Sequence, residues 1–149
     1  MIHGLGRTGD AVTVFPTTAP SVEPDRLAAA SPQLEYRVHL FSAGKVTVTC
    51  SLVPTHPIRD GQGLRLAVGL DDQAPQLLSL KIDVGSNEWS QAVLNATETG
   101  SVNLNVAAPG SHVIKLYMVD PGVVVDKIVL DAGGLRPSYL GPAETRVRH

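Results

Sequence analysis

The chain has 149 residues, 43% hydrophobic and 17% charged, with a formal net charge of −2. That size and balance suit one domain with a real core. The near-neutral charge argues against a nucleic-acid partner or an anionic membrane held by bulk charge, and no apolar run is long enough to span a bilayer.

In chain order, residues 1–6 lack the charged start and apolar stretch of a secretory signal. Residues 11–15 (Ala-Val-Thr-Val-Phe) read as a first strand. Residues 16–32, rich in Pro, Thr, Ala and Ser, form a loop, with one helical turn expected at 25–30. Residues 34–41 alternate apolar and polar side chains, as a half-buried strand does. After the Ser42-Ala43-Gly44 turn, residues 45–53 alternate again, and the two runs are expected to form an antiparallel hairpin. Their apolar sets, Leu34, Tyr36, Val38 and Leu40, then Val46, Val48 and Cys50, are the predicted core.

Residues 54–63 are a turn-rich loop. Strands follow at 64–71 and 76–83. The first ends in Asp71-Asp72, whose adjacent side chains point to opposite faces of a strand, so a turn role is expected rather than a glycosidase carboxylate pair. Residues 85–99 are polar around Trp89 and suit a helical turn. Residues 101–106 alternate cleanly, and 112–119 form the next strand. Asp120-Pro121-Gly122 is a turn signal, because Pro presets φ and Gly accepts a positive one. Residues 123–130 are β-branched enough for the last strand. The irregular tail 133–149 carries apolar Leu135, Tyr139 and Leu140, and is expected to pack back on the domain. About eight strands with turns every 8–12 residues, and no long amphipathic helix, predict an all-β fold. Its form is an antiparallel two-sheet sandwich of jelly-roll type.

Chemistry-bearing motifs are sparse. Cys50 is the single cysteine, so no internal disulfide or cysteine-built zinc site can form. Its strand setting suggests a buried, inert thiol. No Gly-x-Ser-x-Gly nucleophile elbow is present. The Gly4–Gly9 glycines miss the strand and helix that a dinucleotide fingerprint needs. The five histidines show no metal spacing; His39 and His112 are expected to face outward, and His56, in the loop at 54–57, is the one read as a site candidate. Trp89 is the leading ligand candidate. An indole can stack on a pyranose face and still donate its N–H, though a lone tryptophan can equally plug one end of a sandwich. The sequon Asn95-Ala-Thr97 matters only in a eukaryotic secretory host.

Several blocks carry a family resemblance. They are residues 4–16, 32–36, Pro54-Thr55, 68–72, Trp89, 109–112 and, most specifically, 119–142. In this order they resemble the C-terminal domain of family 115 glycoside hydrolases, the xylan α-1,2-glucuronidases. The resemblance implies a β-sandwich similar to carbohydrate-binding modules, here one domain over residues 1–149. It also implies a noncatalytic accessory role, with no catalytic residue to carry over. Xylan or glucuronoxylan, and the catalytic core of a parent enzyme, are the implied partners. The alternative is a structural or dimerising module that packs on that core and binds no sugar. Arg7 and Arg136 would assist Trp89 and His56 on a uronate ligand. The family domain usually begins with a further strand, and its absence would leave a sheet edge open to homodimerisation. In related modules acidic residues of that strand hold calcium. Asp126 stands where a partner ligand would be, but one aspartate does not supply the six to eight oxygens calcium takes, so no cofactor is expected. A parent of this kind would be secreted or periplasmic, with its signal outside this chain.

Overall fold

The computed structural model describes residues 1–5, 9–56, 63–80, 86–94, 97–136, 138 and 141–145, with the backbone alone for Glu88 and Trp89. Its strands are β1 (Ile2–His3), β2 (Asp10–Ala11), β3 (Gln33–Leu40), β4 (Gly44–Leu52), β5 (Leu64–Leu70), β6 (Gln76–Leu80), β7 (Glu98–Val106), β8 (Gly110–Met118) and β9 (Val125–Asp131). A 3-10 turn (Pro24–Arg26) leads into α1 (Leu27–Ala30), and α2 (Asn87–Leu94) lies between β6 and β7. The expected sandwich is what forms. One antiparallel sheet has the order β3-β8-β5-β6, a second has β7-β4-β9, and β1 pairs with β2 alone.

The period of two explains the layers. Along β4, Val46, Val48, Cys50 and Leu52 are buried, while Lys45, Thr47, Thr49 and Ser51 turn outward. The inward set meets Leu66, Val68 and Leu70 of β5, Val102 and Leu104 of β7, and Ile114 and Leu116 of β8 in one core. Each such side chain contributes about 1.5–3 kcal/mol by leaving water. Outside, hydroxyl and amide ladders tie β4 to β7, with Thr47 Oγ1 donating to Asn103 Oδ1 at 3.0 Å and Thr49 and Ser101 hydroxyls 2.7 Å apart. Gly100 of β7 leaves room for β6, since a Cβ there would stand 2.8 Å from methyls of both Leu78 and Leu80.

The expected β3–β4 hairpin does not form. β3 pairs with β8, while β4 is central in the other sheet between β7 and β9. The segment 41–43 is therefore an arch between sheets, so the apolar faces of β3 and β4 confront each other across the core. Alternation assigns a face to each strand, and a hairpin or an arch satisfies it equally. Edge position also corrects the core. Leu40, Val46, Val48 and Cys50 are buried, Leu34 and Val38 are half-buried, and Tyr36 is 41% exposed because β3 has no described neighbour on its outer side.

Smaller differences follow local bonding. The expected strand at 11–15 pairs only at Asp10–Ala11 and through a Val12–Val125 bridge. Beyond Val12, the Thr13 hydroxyl donates to Val123 O at 2.8 Å, so a side chain replaces the backbone ladder. β7 begins at Glu98, ahead of the predicted 101. Residues 81–83 of the run at 76–83 lie outside the described residues. Asp71-Asp72 does make the turn after β5, with Asp71 at φ 52. The tail returns to the sandwich where Lys127 Nζ donates to Pro142 O at 2.7 Å. Leu135, however, is 44% exposed, because Gly133 and Gly134, both at positive φ, turn the chain outward after β9. Leu140 and Tyr139 lie outside the described residues.

Residues 16–32 cover the outer face of the four-stranded sheet. Leu27 and Val22 pack on Ala67, Tyr117 and Val119. A buried ion pair anchors this cover and the chain's crossing to the second sheet. Arg65 donates to Asp120 through Nε at 2.7 Å and Nη2 at 2.8 Å. Ser21 Oγ donates to the same carboxylate at 2.6 Å, and Asp120 N donates to Arg65 O. Both side chains are largely out of water, where a charge stripped of its partner is costly. Asp120→Ala is therefore expected to destabilise the domain by about 3 kcal/mol, measured by urea denaturation. A change below about 1 kcal/mol, the scale of an exposed pair, would sink this assignment.

Candidate functional site

Three loops meet where β4 ends and β9 begins. The N-terminal segment supplies Ile2, Thr13, Phe15 and Thr17, the loop after β4 supplies Thr55 and His56, and the turn before β9 supplies Gly122 and Val124. They line an open groove of about 440 Å³. Its floor is held by the backbone bond from Val53 N to Val124 O at 2.9 Å. Thr55 Oγ1 donates to Gly122 O at 3.1 Å, and Thr13 Oγ1 donates to Val123 O at 2.8 Å. Both hydroxyls spend their proton on the floor and keep oxygen lone pairs to accept bonds. Phe15 stands at the rim, 69% exposed. The groove thus has an apolar ring, hydroxyl acceptors and an imidazole, the combination that fits a sugar's apolar face and hydroxyl edge. A second cavity of about 100 Å³, among Val12, Val14, Leu34, Leu116 and Val123, is apolar and holds few polar groups to orient a ligand.

Of the residues singled out from sequence, His56 lies in this groove. Trp89 sits on α2, none of whose described side chains lines the groove, and its own side chain is not among the described ones. Arg136 is exposed in the segment after β9, away from the groove lining, and Arg7 lies outside the described residues. Sequence reading missed Phe15, Thr13, Thr17 and Thr55. Phe15 was legible only as the end of a strand, and its exposure depends on the chain leaving the sheet after Val12. No group of three His, Cys, Asp or Glu side chains among the described residues could hold a metal. Asp126 is half-buried in β9.

A family model described as the glycosyl hydrolase family 115 C-terminal domain matches residues 1–144. The chain belongs to that family. Among solved structures, this family 115 C-terminal domain is similar to BtGH115A, described as a family 115 4-O-methyl-α-glucuronidase with specificity for decorated arabinogalactans. The TM-score is 0.70 and the identity 24%, over 89% of this chain and 15% of that one. A family 35 carbohydrate-binding module from an environmental isolate aligns with TM-score 0.52 and 19% identity, over 74% of this chain and 72% of the module. Another from Clostridium thermocellum gives 0.50 and 15%, over 67% and 70%. No curated protein matches. The match spans a small fraction of BtGH115A and nearly three quarters of a whole binding module, so the fold is that of the module.

Cys50, Asp71 and His112 of this family 115 C-terminal domain serve the fold. Burial pushes the Cys50 thiol up to about 12, which makes it inert. Asp71 and His112 form a clasp between β5 and β8. His112 Nδ1 lies 2.7 Å from Asp71 Oδ2 and Nε2 lies 2.9 Å from Ala108 O. With acceptors at both ring nitrogens, the doubly protonated imidazolium is favoured. His112 is accordingly 12% exposed in its side chain rather than outward-facing. The bond from Asp71, then that to Ala108 O, raises the His112 pKa against a smaller opposing effect of burial. Burial alone would raise Asp71, but bonds from His112 and Val113 N, with the charges of His112 and Lys115, outweigh it and hold the carboxylate low. Since the folded His112 value is raised, its contribution is complete below the ordinary value near 6.5 and is lost as pH climbs through the folded value. The depressed Asp71 contribution is lost only as pH falls through its folded value. His112→Gln should therefore lower the melting temperature more at about pH 5.5 than at about pH 8.5; equal losses at both would contradict the clasp.

Proposed function

We propose that this domain is a noncatalytic accessory module that binds a glucuronic-acid-decorated plant polysaccharide weakly through the Phe15–His56 groove. The observation that carries this reading is Phe15, exposed on the rim of a concavity edged by Thr17, Thr55 and His56. Stacking on an aromatic face contributes through dispersion and apolar burial, while the threonine oxygens accept from sugar hydroxyls and His56 offers a bond to a uronate. A shallow, open groove with one aromatic ring makes a weak site. Family membership supports glucuronoxylan as ligand. The arabinogalactan specificity ascribed to BtGH115A supports a decorated side chain rather than one backbone polymer.

The noncatalytic part rests on the groove's chemistry. Glycoside hydrolysis ordinarily needs two flanking carboxyl groups, and no Asp or Glu is among the described residues that line the groove. Asp71 is engaged by His112, and Asp120 by Arg65. The parent enzyme, by this reading, is secreted or periplasmic, where such polysaccharides are met. A second reading, packing on the parent's catalytic core, is favoured by the large apolar side chains Phe41 and Leu94, 88% and 76% exposed.

Calorimetric titration of the chain with glucuronoxylan and arabinogalactan oligosaccharides tests the binding site. Phe15→Ala is expected to weaken binding at least about tenfold, a loss of about 1.4 kcal/mol, with Trp89→Ala unchanged. The reverse pattern would move the site to α2, and no binding by the wild type would favour the core-packing reading. The purified chain is expected to release no glucuronic acid; turnover abolished by one substitution within it would overturn the noncatalytic assignment.

A further inference from the structure

The floor of the groove is a ribbon of two segments, 12–15 and 122–125. Val12 and Val125 exchange backbone bonds of 2.8 Å in both directions, and Thr13 Oγ1 donates across to Val123 O at 2.8 Å. Side chains alternate in direction along extended chain, and the ribbon obeys this. Thr13 and Phe15 of one segment, with Gly122 and Val124 of the other, line the groove. Val12 and Val14, with Val123 and Val125, line the smaller cavity. Groove and cavity therefore lie back to back, with one layer of backbone between them.

The far wall of the cavity belongs to the larger sheet, with Leu34 of β3 and Leu116 of β8. A void of about 100 Å³ among the described residues departs from the close packing of protein interiors. Its largely apolar lining offers water few partners, so the ribbon lacks packing on that side. The ribbon is also lightly held. Its own ladder is one residue pair, Val12 and Val125. At its root the β4–β9 register shifts between Ser51 and Leu52, and a bulge of this kind bends its strand and interrupts the ladder. The bonds from Val53 N and Thr55 Oγ1 join the ribbon to the loop after β4 rather than to the sheet behind it.

We propose that the ribbon is a movable floor. It bows between its anchors at Asp120 and the β9 bulge, and recedes into the cavity when a ligand seats in the groove. Volume then passes from the cavity to the groove, which deepens beside Phe15. A ligand drives such a shift only by binding the receded state more tightly. The deeper concavity supplies that difference, because more of the sugar leaves water there. The ligand-driven step rests on the sugar-binding reading of the groove, while the ribbon's freedom to move does not.

Two substitutions fill the cavity from opposite walls and leave the groove side chains alone, Leu34→Phe from β3 and Val14→Ile from the ribbon. Amide hydrogen exchange reads the ribbon directly. In the wild type the Val12 and Val125 amides are expected to exchange at least about tenfold faster than those of Val48 and Cys50 in the central strand β4. Each filled variant is expected to slow the ribbon amides at least about tenfold relative to that β4 pair. Xenon under pressure enters dry apolar voids and is expected to shift the methyl signals of Val12, Val14 and Leu34 in the wild type. Calorimetric titration with glucuronoxylan oligosaccharides is expected to show each filled variant binding at least about fivefold more weakly than the wild type. Wild-type ribbon amides as slow as those of β4, or a wild type that xenon does not enter, would overturn the proposal. These two arms need no substitution, so a variant that fails to fold leaves the proposal exposed to them. Folded variants whose ribbon amides keep their wild-type rates, or that bind sugar as tightly as the wild type, would overturn it too. A wild type that binds no sugar would count against the groove reading instead, and exchange would then decide the floor's motion.

Discussion

The Asp120 carboxylate, buried and clamped by Arg65 and Ser21, is the constraint on which the rest of the domain depends. It stands where the chain leaves β8 and crosses to β9, so it fixes one of the connections that link the two sheets at this end. A charge in that position has to be neutralised, and the bidentate Arg geometry leaves it little freedom to drift. The same turn then runs into Gly122, Val123 and Val124, whose backbone carbonyls receive Thr55, Thr13 and Val53. The floor of the groove is thus a by-product of the crossing. Each of the three segments that line the groove is tied to this turn by a hydrogen bond.

The second organising fact is the arch at 41–43. By sending β4 into the middle of the other sheet, it places Val46, Val48, Cys50 and Leu52 opposite β5 and β8 rather than beside β3. It also strands β3 at an edge. The half-exposed Tyr36 and the uncovered backbone of Gln33–Leu40 follow from that choice of partner. On the other side, Gln73 and Gln76 occupy the β7 edge with their own amides. The molecule therefore carries one closed and one open side, and its surface chemistry is divided accordingly. The groove lies among loops, and the open edge lies along a strand.

Family membership and fold agree. Two of the described carboxylates are committed to structure. Asp71 holds His112 and the start of β8, and Asp120 holds Arg65. Among the described residues the groove is lined by an aromatic ring, threonine hydroxyls, an imidazole and aliphatic groups, the chemistry on which the proposed sugar recognition rests.

Period-two alternation in residues 34–41, 45–53 and 101–106, with Asp120-Pro121-Gly122 as a turn, made the strands and the sandwich class legible from sequence alone. The closing block made the family legible too. These are local properties: a face, a bend, a run of β-branched residues. Which strands pair, by contrast, was decided only in three dimensions, because alternation assigns a side to each strand and says nothing of its neighbour. The same limit hid the groove. His56 was legible as a polar loop residue, but Phe15 became a rim and Thr13 and Thr55 became its hydroxyls only once residues 2–17, 55–56 and 122–124 had been folded against one another. Their proximity is set by the core and the Arg65–Asp120 pair, interactions between residues distant along the chain that no window of sequence contains.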